Sequence, residues 1–138
     1  MNKKIIIIIA AVLILAIIGG VVAFMLLRTP EEKPIVYFEF PLDEEYSNLA
    51  DEGGNKIVKY IVIIEYTNEE ILESLTKNKT KIRNNIDEIM RSTYSEDIAK
   101  VNGKQRLREK IQNMVIEVLE SDEEVITNIY IQPFVVQG

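Results

Sequence analysis

The chain has 138 residues, with 16 Lys and Arg against 22 Asp and Glu, and it contains neither cysteine nor histidine. This length leaves room for one small domain. The missing residue types exclude disulfides, thiol chemistry and histidine-dependent catalysis. Residues 29–138 hold 13 of the basic side chains and all of the acidic ones, which argues against a nucleic-acid partner.

Ile5–Leu27 is a run of 23 residues without a charge, a side-chain amide or a proline. As a helix rising 1.5 Å per residue it would be about 35 Å long, enough to cross a hydrocarbon layer of about 30 Å. Lys3 and Lys4 precede the run, whereas Glu31 and Glu32 follow it. This pattern predicts one transmembrane helix with its amino terminus in the cytoplasm.

A cleaved signal peptide is the alternative interpretation of the run, because Val21-Val22-Ala23 resembles a small-residue cleavage site. The apolar stretch is longer than the roughly 7 to 15 residues of a signal peptide, which favours the anchor. The expected organisation is a cytoplasmic end at 1–4, a transmembrane helix at 5–27, a juxtamembrane tether at 28–34 and one extracytoplasmic domain at 35–138.

The first part of this domain is predicted to be β-structure. Extended segments at Ile35–Phe40 and Tyr46–Ala50 are followed by a turn-forming segment at Asp51–Asn55. The strongest strand comes next, at Ile57–Tyr66, where only two charged residues interrupt apolar and aromatic side chains. We expect this strand to be central and buried, and to form a hairpin with the segment before the turn.

A helix is expected to begin after Thr67-Asn68-Glu69-Glu70, because this sequence has the form of a capping box. Apolar residues then fall on one helical stripe, formed by Ile71, Leu75, Ile82, Ile86 and Ile89. Asn78 and Lys79 occupy the turn at which this stripe would continue. The pattern therefore predicts a break or bend near Asn78–Thr80.

The mostly polar segment Arg91–Val101 predicts a loop with one short helical turn, anchored on the domain by Tyr94 and Ile98. Asn102, with Gln105 three residues later, predicts the cap of an amphipathic helix of about four turns. The apolar stripe of this helix is Leu107, Ile111, Met114, Val115 and Val118.

The chain closes with a predicted strand. Acidic residues at 121–124 end the helix, and Val125–Tyr130 and Phe134–Val136 form a strand that Pro133 is expected to interrupt. The order β-β-β-α-α-β predicts an α+β domain with two main helices packed on a sheet.

No catalytic, cofactor-binding or metal-binding residues are predicted. Without Cys or His, nucleophilic catalysis would need a Ser-Lys or carboxylate arrangement that no local motif indicates. The carboxylates at Asp43–Glu45 and Asp122–Glu124 lack the alternating ligand spacing and the glycine of an EF-hand calcium loop. We expect them to be solvated loop charges.

One basic cluster stands out in the acidic domain, formed by Lys77, Lys79, Lys81 and Arg83. It is a candidate surface for an acidic partner or for a second copy of the chain. The alternative is a solvated helix face with local ion pairs four residues apart, Glu73 with Lys77 and Arg83 with Asp87.

The apolar run contains two small-xxx-small pairs, Ala16 with Gly20 and Gly19 with Ala23. This spacing lets two membrane helices approach closely. These four residues are therefore candidate positions for packing within the membrane.

The whole pattern resembles the flagellar basal-body-associated FliL family. The resemblance rests on the order and spacing of short segments behind a single anchor: Asn48-Leu49-Ala50-Asp51, the strand Ile57–Tyr66, Lys81-Ile82-Arg83-Asn84-Asn85-Ile86, Tyr94-Ser95-Glu96-Asp97-Ile98, Gly103-Lys104 with Leu107 and Ile111, and the strand Val125–Phe134. The family often has proline near the position of Thr80, which agrees with the predicted break.

The resemblance implies a non-enzymatic role, without cofactors, at the flagellar basal body in the cytoplasmic membrane. Members of the family associate with the MotA and MotB stator proteins, and their exported domain resembles the stomatin-like fold that assembles into rings. The implied partners are thus the stator, other basal-body components, copies of the same chain, and the membrane through residues 5–27, but no nucleic acid.

Two other classes of protein share some of these features. A ring or scaffold protein of another envelope machine, for secretion or sporulation, would have the same anchor and a small α+β domain. An exported ligand sensor is the second alternative, but it usually has a cytoplasmic output module, and here only residues 1–4 are predicted inside the cell.

Overall fold

The computed structural model describes residues 2–138, with Pro133 described by its backbone alone. Met1, part of the predicted cytoplasmic end, lies outside the described residues. The chain divides into two compact units, one ending at Pro34 and the other spanning Ile35–Gly138.

The first unit contains one long helix, α1, at Lys3–Leu27. It confirms the predicted apolar helix, and it is the one helix among residues 2–138 that is long and apolar enough to cross a membrane, with a mean hydropathy of 3.4. None of its residues is buried within the chain. Its apolar surface is thus available to lipid or to another helix.

The second unit contains a four-stranded antiparallel sheet: β1 at Phe38–Pro41, β2 at Glu45–Asn48, β3 at Ile57–Tyr66 and β4 at Ile126–Gln137. All three other strands pair with β3. The prediction that β3 is central and buried is confirmed, because its alternate side chains are buried from Val58 to Tyr66.

The predicted hairpin is also confirmed. β2 pairs with the first half of β3, with Asn48 opposite Ile57 and Ser47 opposite Val58. Gly53 and Gly54 have φ values of 85° and 62° in the turn between these strands. Glycine adopts these left-handed conformations without the strain that a Cβ atom would cause.

The first strand is shorter than predicted. Ile35, Val36 and Tyr37 precede β1, are not part of the sheet, and remain exposed. β1 pairs only with Ile63–Tyr66, at the end of β3, so the residues before Phe38 have no facing strand.

Four helices lie between β3 and β4: α2 at Ile71–Lys77, α3 at Lys79–Arg91, α4 at Ser95–Ala99 and α5 at Gly103–Leu119. Helices α3 and α5 pack on the sheet, α2 packs on α3, and α4 packs on α5. The helices contribute to the core Leu75, Ile82, Ile86, Met90, Leu107, Ile111 and Val115. The predicted α+β order is confirmed, with α4 as the predicted short helical turn and α3 and α5 as the main helices.

The predicted break in the first helix is confirmed at Asn78. Its backbone, with φ −99° and ψ 7°, separates α2 from α3, and its side-chain amide donates to the Ser74 carbonyl oxygen at 2.9 Å. Leu75 and Ile82 are fully buried on either side of the break.

The two helices begin where predicted, but neither predicted cap forms its side-chain bond. Thr67 does not cap a helix, because its hydroxyl donates to the Glu124 carbonyl oxygen at 2.6 Å and ties the end of β3 to the turn before β4. Asn102 occupies the cap position of α5 as predicted, but it adopts a left-handed conformation with φ 61° and makes no side-chain capping bond.

Two further predictions about the second half need correction. Ile98 anchors α4 as predicted, but Tyr94 is exposed. β4 is one continuous strand rather than two, and its register shifts between the pairs Lys59↔Val135 and Ile61↔Gln132. A bulge at this shift accommodates Pro133 in the strand, since proline cannot donate to a regular ladder.

Candidate interaction surfaces

The predicted basic cluster of residues 77–83 is only partly available to a partner. Lys79 and Arg83 both form ion pairs with Asp43, at 3.3 Å and 3.2 Å, and Arg83 also bonds to Glu45. Asp43 lies just after β1 and Glu45 begins β2. Half of the cluster therefore holds α3 against the edge of the sheet, and Lys77 and Lys81 are left exposed.

The predicted local ion pairs are wrong. Among the described residues, Arg83 pairs with Asp43 and Glu45 across the fold, and no ion pair joins Glu73 to Lys77. Asp87 pairs instead with Arg91, whose Nε lies 2.8 Å from its carboxylate. Asp43 and Glu44 are exposed, as predicted for solvated charges, but all three carboxylates of Asp43–Glu45 also have basic partners that the sequence did not indicate.

A polar network below this junction joins α3 to two strands. The Asp87 carboxylate accepts a 2.5 Å hydrogen bond from the hydroxyl of Ser47, which lies 2.8 Å from the Tyr60 hydroxyl. Ser47 and Tyr60 are buried, and burial raises the pKa of Tyr60. Buried hydroxyls that are fully hydrogen-bonded fix one packing arrangement of helix on sheet.

Another cluster joins the hairpin turn to α4. Asp51 accepts hydrogen bonds from the Ser95 backbone N–H, at 2.8 Å, and from the Ser95 hydroxyl. These bonds, led by the one from the hydroxyl, hold the pKa of Asp51 below its ordinary value. The Ala50 N–H also donates to the Thr93 carbonyl oxygen at 2.9 Å. Two of the segments that carry the family resemblance, at 48–51 and 94–98, thus meet in space.

Gly103 belongs to another of the segments that carry the family resemblance, and the structure shows why glycine is needed there. A Cβ atom at this position would overlap the backbone carbonyl oxygens of Asp97 and Ile98. Only glycine lets the start of α5 approach the end of α4 this closely. The residue therefore sets the spacing between the two helices.

A cleft of about 350 Å³ opens beside this junction, lined by Ser92, Thr93, Asp97, Lys100, Arg106 and Lys110 together with apolar side chains and Gly103. We call it the basic cleft, because it holds three cations and one carboxylate. Lys100 donates a hydrogen bond to the Asp97 carboxylate at 2.9 Å, and this bond raises the pKa of Lys100. Sequence reasoning missed this cleft because its residues come from α4, α5, the loop between them and the connection before α4.

The four small residues of α1 remain candidates for packing within the membrane. A Cβ atom added to Gly19 or Gly20 would meet no atom within 4 Å in the single chain. Ala16 and Ala23 are exposed on the same helix. This part of α1 has room for a close helix neighbour.

No group of three or more acidic residues among residues 2–138 is arranged to hold a metal ion. The described side chains are thus organised around ion pairs, hydrogen bonds and exposed charges.

Comparison with known proteins agrees with the sequence resemblance. The family model for flagellar basal body-associated protein FliL matches residues 39–137. This range includes all four strands apart from Phe38, the first residue of β1. A flagellar protein FliL from Aquifex aeolicus (strain VF5) is 28% identical over 105 residues, which cover 75% of this chain and 64% of the relative. The chain thus spans less than two thirds of that relative's length.

Proposed function

The chain belongs to the FliL family of flagellar basal body-associated proteins, and from this premise we propose that it is a non-enzymatic component of the flagellar motor that supports the stator. It would lie beside or around the MotA/MotB units, keep them active and sustain torque during swimming or swarming. The observation that carries the proposal is the family match, which extends over residues 39–137 and so covers nearly the whole second unit.

The proposed location is the cytoplasmic membrane at the flagellar base. Helix α1 would be the membrane anchor, with residues 1–4 in the cytoplasm and residues 28–34 as a tether to an extracytoplasmic domain at 35–138. Lys3 and Lys4 support this orientation, because basic residues favour the cytoplasmic side of a membrane helix.

A scaffold role agrees with the chemistry of the second unit. Its core is filled with apolar side chains. Its buried and half-buried polar side chains join helices to the sheet and to the hairpin turn, as in the pairs Ser47–Asp87 and Asp51–Ser95. We propose that copies of the chain associate with one another in the manner of stomatin-like rings, and that this assembly holds the stator in its active state. The four small residues on α1 would allow neighbouring anchors to pack closely.

Imaging of the full-length chain in swimming cells tests this proposal. A fluorescent protein fused to the amino terminus, on the proposed cytoplasmic side, should give foci at flagellar bases, and these should fade when the stator genes are deleted. A deletion strain should lose torque mainly at high load. A matched control carries the same fusion on α1 alone and should give uniform membrane signal.

Two results would contradict the proposal. Foci at another envelope machine would favour a secretion or sporulation scaffold, and normal stator occupancy and torque at high load in the deletion strain would remove the link to the stator.

A further inference from the structure

Helix α5 has an unusual distribution of charge. Its first two turns contain Lys104, Arg106, Arg108 and Lys110 with a single acidic residue, Glu109. Its end and the following turn contain Glu117, Glu120, Asp122, Glu123 and Glu124 and no basic residue. The helix macrodipole favours the opposite arrangement, with acidic residues at the start and basic ones at the end. The charges at the two ends of α5 therefore oppose the helix dipole.

The basic end of α5 lines the basic cleft. Arg106 and Lys110 are exposed, and neither has a carboxylate within 4 Å among the described residues. Within the described residues, the one hydrogen bond of the Arg106 side chain goes to the Val101 carbonyl oxygen, at 3.2 Å. Because the two cations lie four residues apart on one helix face and near Lys100, they repel one another. An anionic group in the cleft would relieve that repulsion.

The opposite end of α5 carries the matching charge. We call Glu120, Asp122, Glu123 and Glu124 the acidic turn; all are exposed, and none has a basic partner within 4 Å in the part of the chain that the structure describes. Asp122 accepts hydrogen bonds from the backbone N–H groups of Glu124 and Val125, at 2.9 Å and 3.0 Å. These bonds hold the turn in one shape, so the carboxylates are presented by an ordered segment.

The two surfaces cannot meet within one chain. They are separated by about twelve residues of α5, which corresponds to roughly 18 Å along a helix. At this distance exposed charges interact weakly in physiological salt, because the separation exceeds the screening length of about 8 Å. A basic cleft and an acidic turn that complement each other on the same molecule can be joined only between two molecules.

We propose that the basic cleft binds the acidic turn of a second copy of this chain. This inference rests on the self-association put forward under the proposed function and names the surfaces that form it. Each copy offers one cleft and one turn, so a contact of this kind is head to tail and can continue from copy to copy until it closes.

Cysteine crosslinking of the full chain in its membrane tests the contact, and the absence of native cysteines makes the background clean. Val101→Cys places a thiol beside the cleft at a position that is 85% exposed, and Ser121→Cys places one in the acidic turn. Copies carrying one thiol each should crosslink between positions 101 and 121. Leu72→Cys, on exposed α2, is the matched control and should not crosslink to Ser121→Cys.

Charge reversal then tests whether attraction between the basic cleft and the acidic turn produces the crosslink. Arg106→Glu with Lys110→Glu should lower the crosslink yield at least about tenfold, and so should Glu123→Lys with Glu124→Lys, because like charges then face each other. Mixing the two reversed chains should restore the crosslink, since the reversed cleft then meets a reversed turn. Lys77→Glu with Lys81→Glu, on exposed residues of the other basic cluster, should leave the yield unchanged.

Three outcomes would overturn this inference: no crosslink between positions 101 and 121, no restoration in the mixture, or a loss caused by reversal of Lys77 and Lys81. Capture of the cleft thiol by an acidic segment of a different protein would likewise replace the second copy as its partner. Failure here is separate from failure of the proposed function, which is decided by where the fusion protein localises and by motor torque.

Discussion

Two groups of basic side chains, one on α3 and one at the start of α5, are used differently by the structure. On α3, Lys79 and Arg83 are neutralised by carboxylates from the sheet edge. On α5, Arg106 and Lys110 have no such partner among the described residues. A dense run of charge in a sequence is thus a poor indicator of an available surface. A basic cluster is available to a partner only when the fold does not bring a carboxylate next to it.

The difference also concerns what each group does. The ion pairs of α3 cross from helix to strand and add to the packing of the core beneath them. The basic cleft lies over the junction of α4 and α5, where Gly103 permits close contact between backbones. One basic group therefore supports the fold, and the other lies on a surface whose shape the fold maintains.

The largest effect on stability is expected from a change at the junction of α4 and α5, which lies beside the basic cleft and away from the ion pairs of α3. Gly103→Ala should lower the free energy of unfolding by about 3 kcal/mol, because the added Cβ atom overlaps two backbone carbonyl oxygens and forces α4 away from α5. Urea unfolding of the full chain in detergent, followed by circular dichroism, measures the change. The same variant should weaken the crosslink between positions 101 and 121.

Val101→Ala is the matched control for this variant, since Val101 is 85% exposed two residues away, and its effect should stay within about 0.5 kcal/mol. A Gly103→Ala protein as stable as the parent would mean that the spacing of α4 and α5 does not depend on this glycine.

Neutralising one cation of each basic group should change the free energy of unfolding by different, smaller amounts. Arg83→Gln should cost about 1 to 2 kcal/mol, because it removes two ion-pair partners and part of the packing of a half-buried side chain. Lys110→Gln should change the free energy of unfolding by no more than about 0.5 kcal/mol, since its charge has no partner within the described chain. Both values come from the same unfolding measurement.

A double-mutant cycle sharpens this test. Combining Arg83→Gln with Glu45→Gln should reveal a coupling energy of about 0.5 to 1 kcal/mol. Equal losses for Arg83→Gln and Lys110→Gln would contradict the distinction between the two groups.

The sequence was sufficient for the elements whose signal is local and strong. The apolar run predicted α1, the β-branched run predicted β3, and polar Asn78 within an apolar stripe predicted the break between α2 and α3. Each of these depends on a pattern that extends over many residues, and no single contact can reverse it.

Contacts between distant segments were beyond the reach of the sequence pattern. Arg83 and Glu45 are 38 residues apart, and Asp51 and Ser95 are 44 apart. The local alternatives, such as Arg83 with Asp87, looked equally good on a helical wheel. The capping box at Thr67 failed for the same reason, because a pattern of four residues carries too little information to outweigh the tertiary hydrogen bond from Thr67 to Glu124.

The smallest expected effect concerns pH and the attachment of α4, which forms one wall of the basic cleft. Hydrogen bonds from Ser95 lower the pKa of Asp51 from its ordinary value of 3.8, so this carboxylate stabilises the fold in its ionised form. The stabilisation by Asp51 is complete above the pKa that this carboxyl has in the unfolded chain. It is lost as pH falls through the lower pKa that the same carboxyl has in the folded chain. Ser95→Ala removes the hydroxyl donor. The stability difference between parent and variant should therefore be constant near neutral pH and shrink below about pH 4.

Ser92→Ala is the control, because the Ser92 hydroxyl donates to the Ile89 carbonyl oxygen and to no titrating group, so its cost should not vary with pH. Unfolding of the full chain measured from pH 3 to pH 7 gives both curves. If the Ser95→Ala difference is as large at pH 3 as at pH 7, the hydroxyl acts through packing and the ionised form of Asp51 does not hold α4. The shape of the basic cleft would then depend on Gly103, the apolar core and the backbone bond from Ala50 to Thr93.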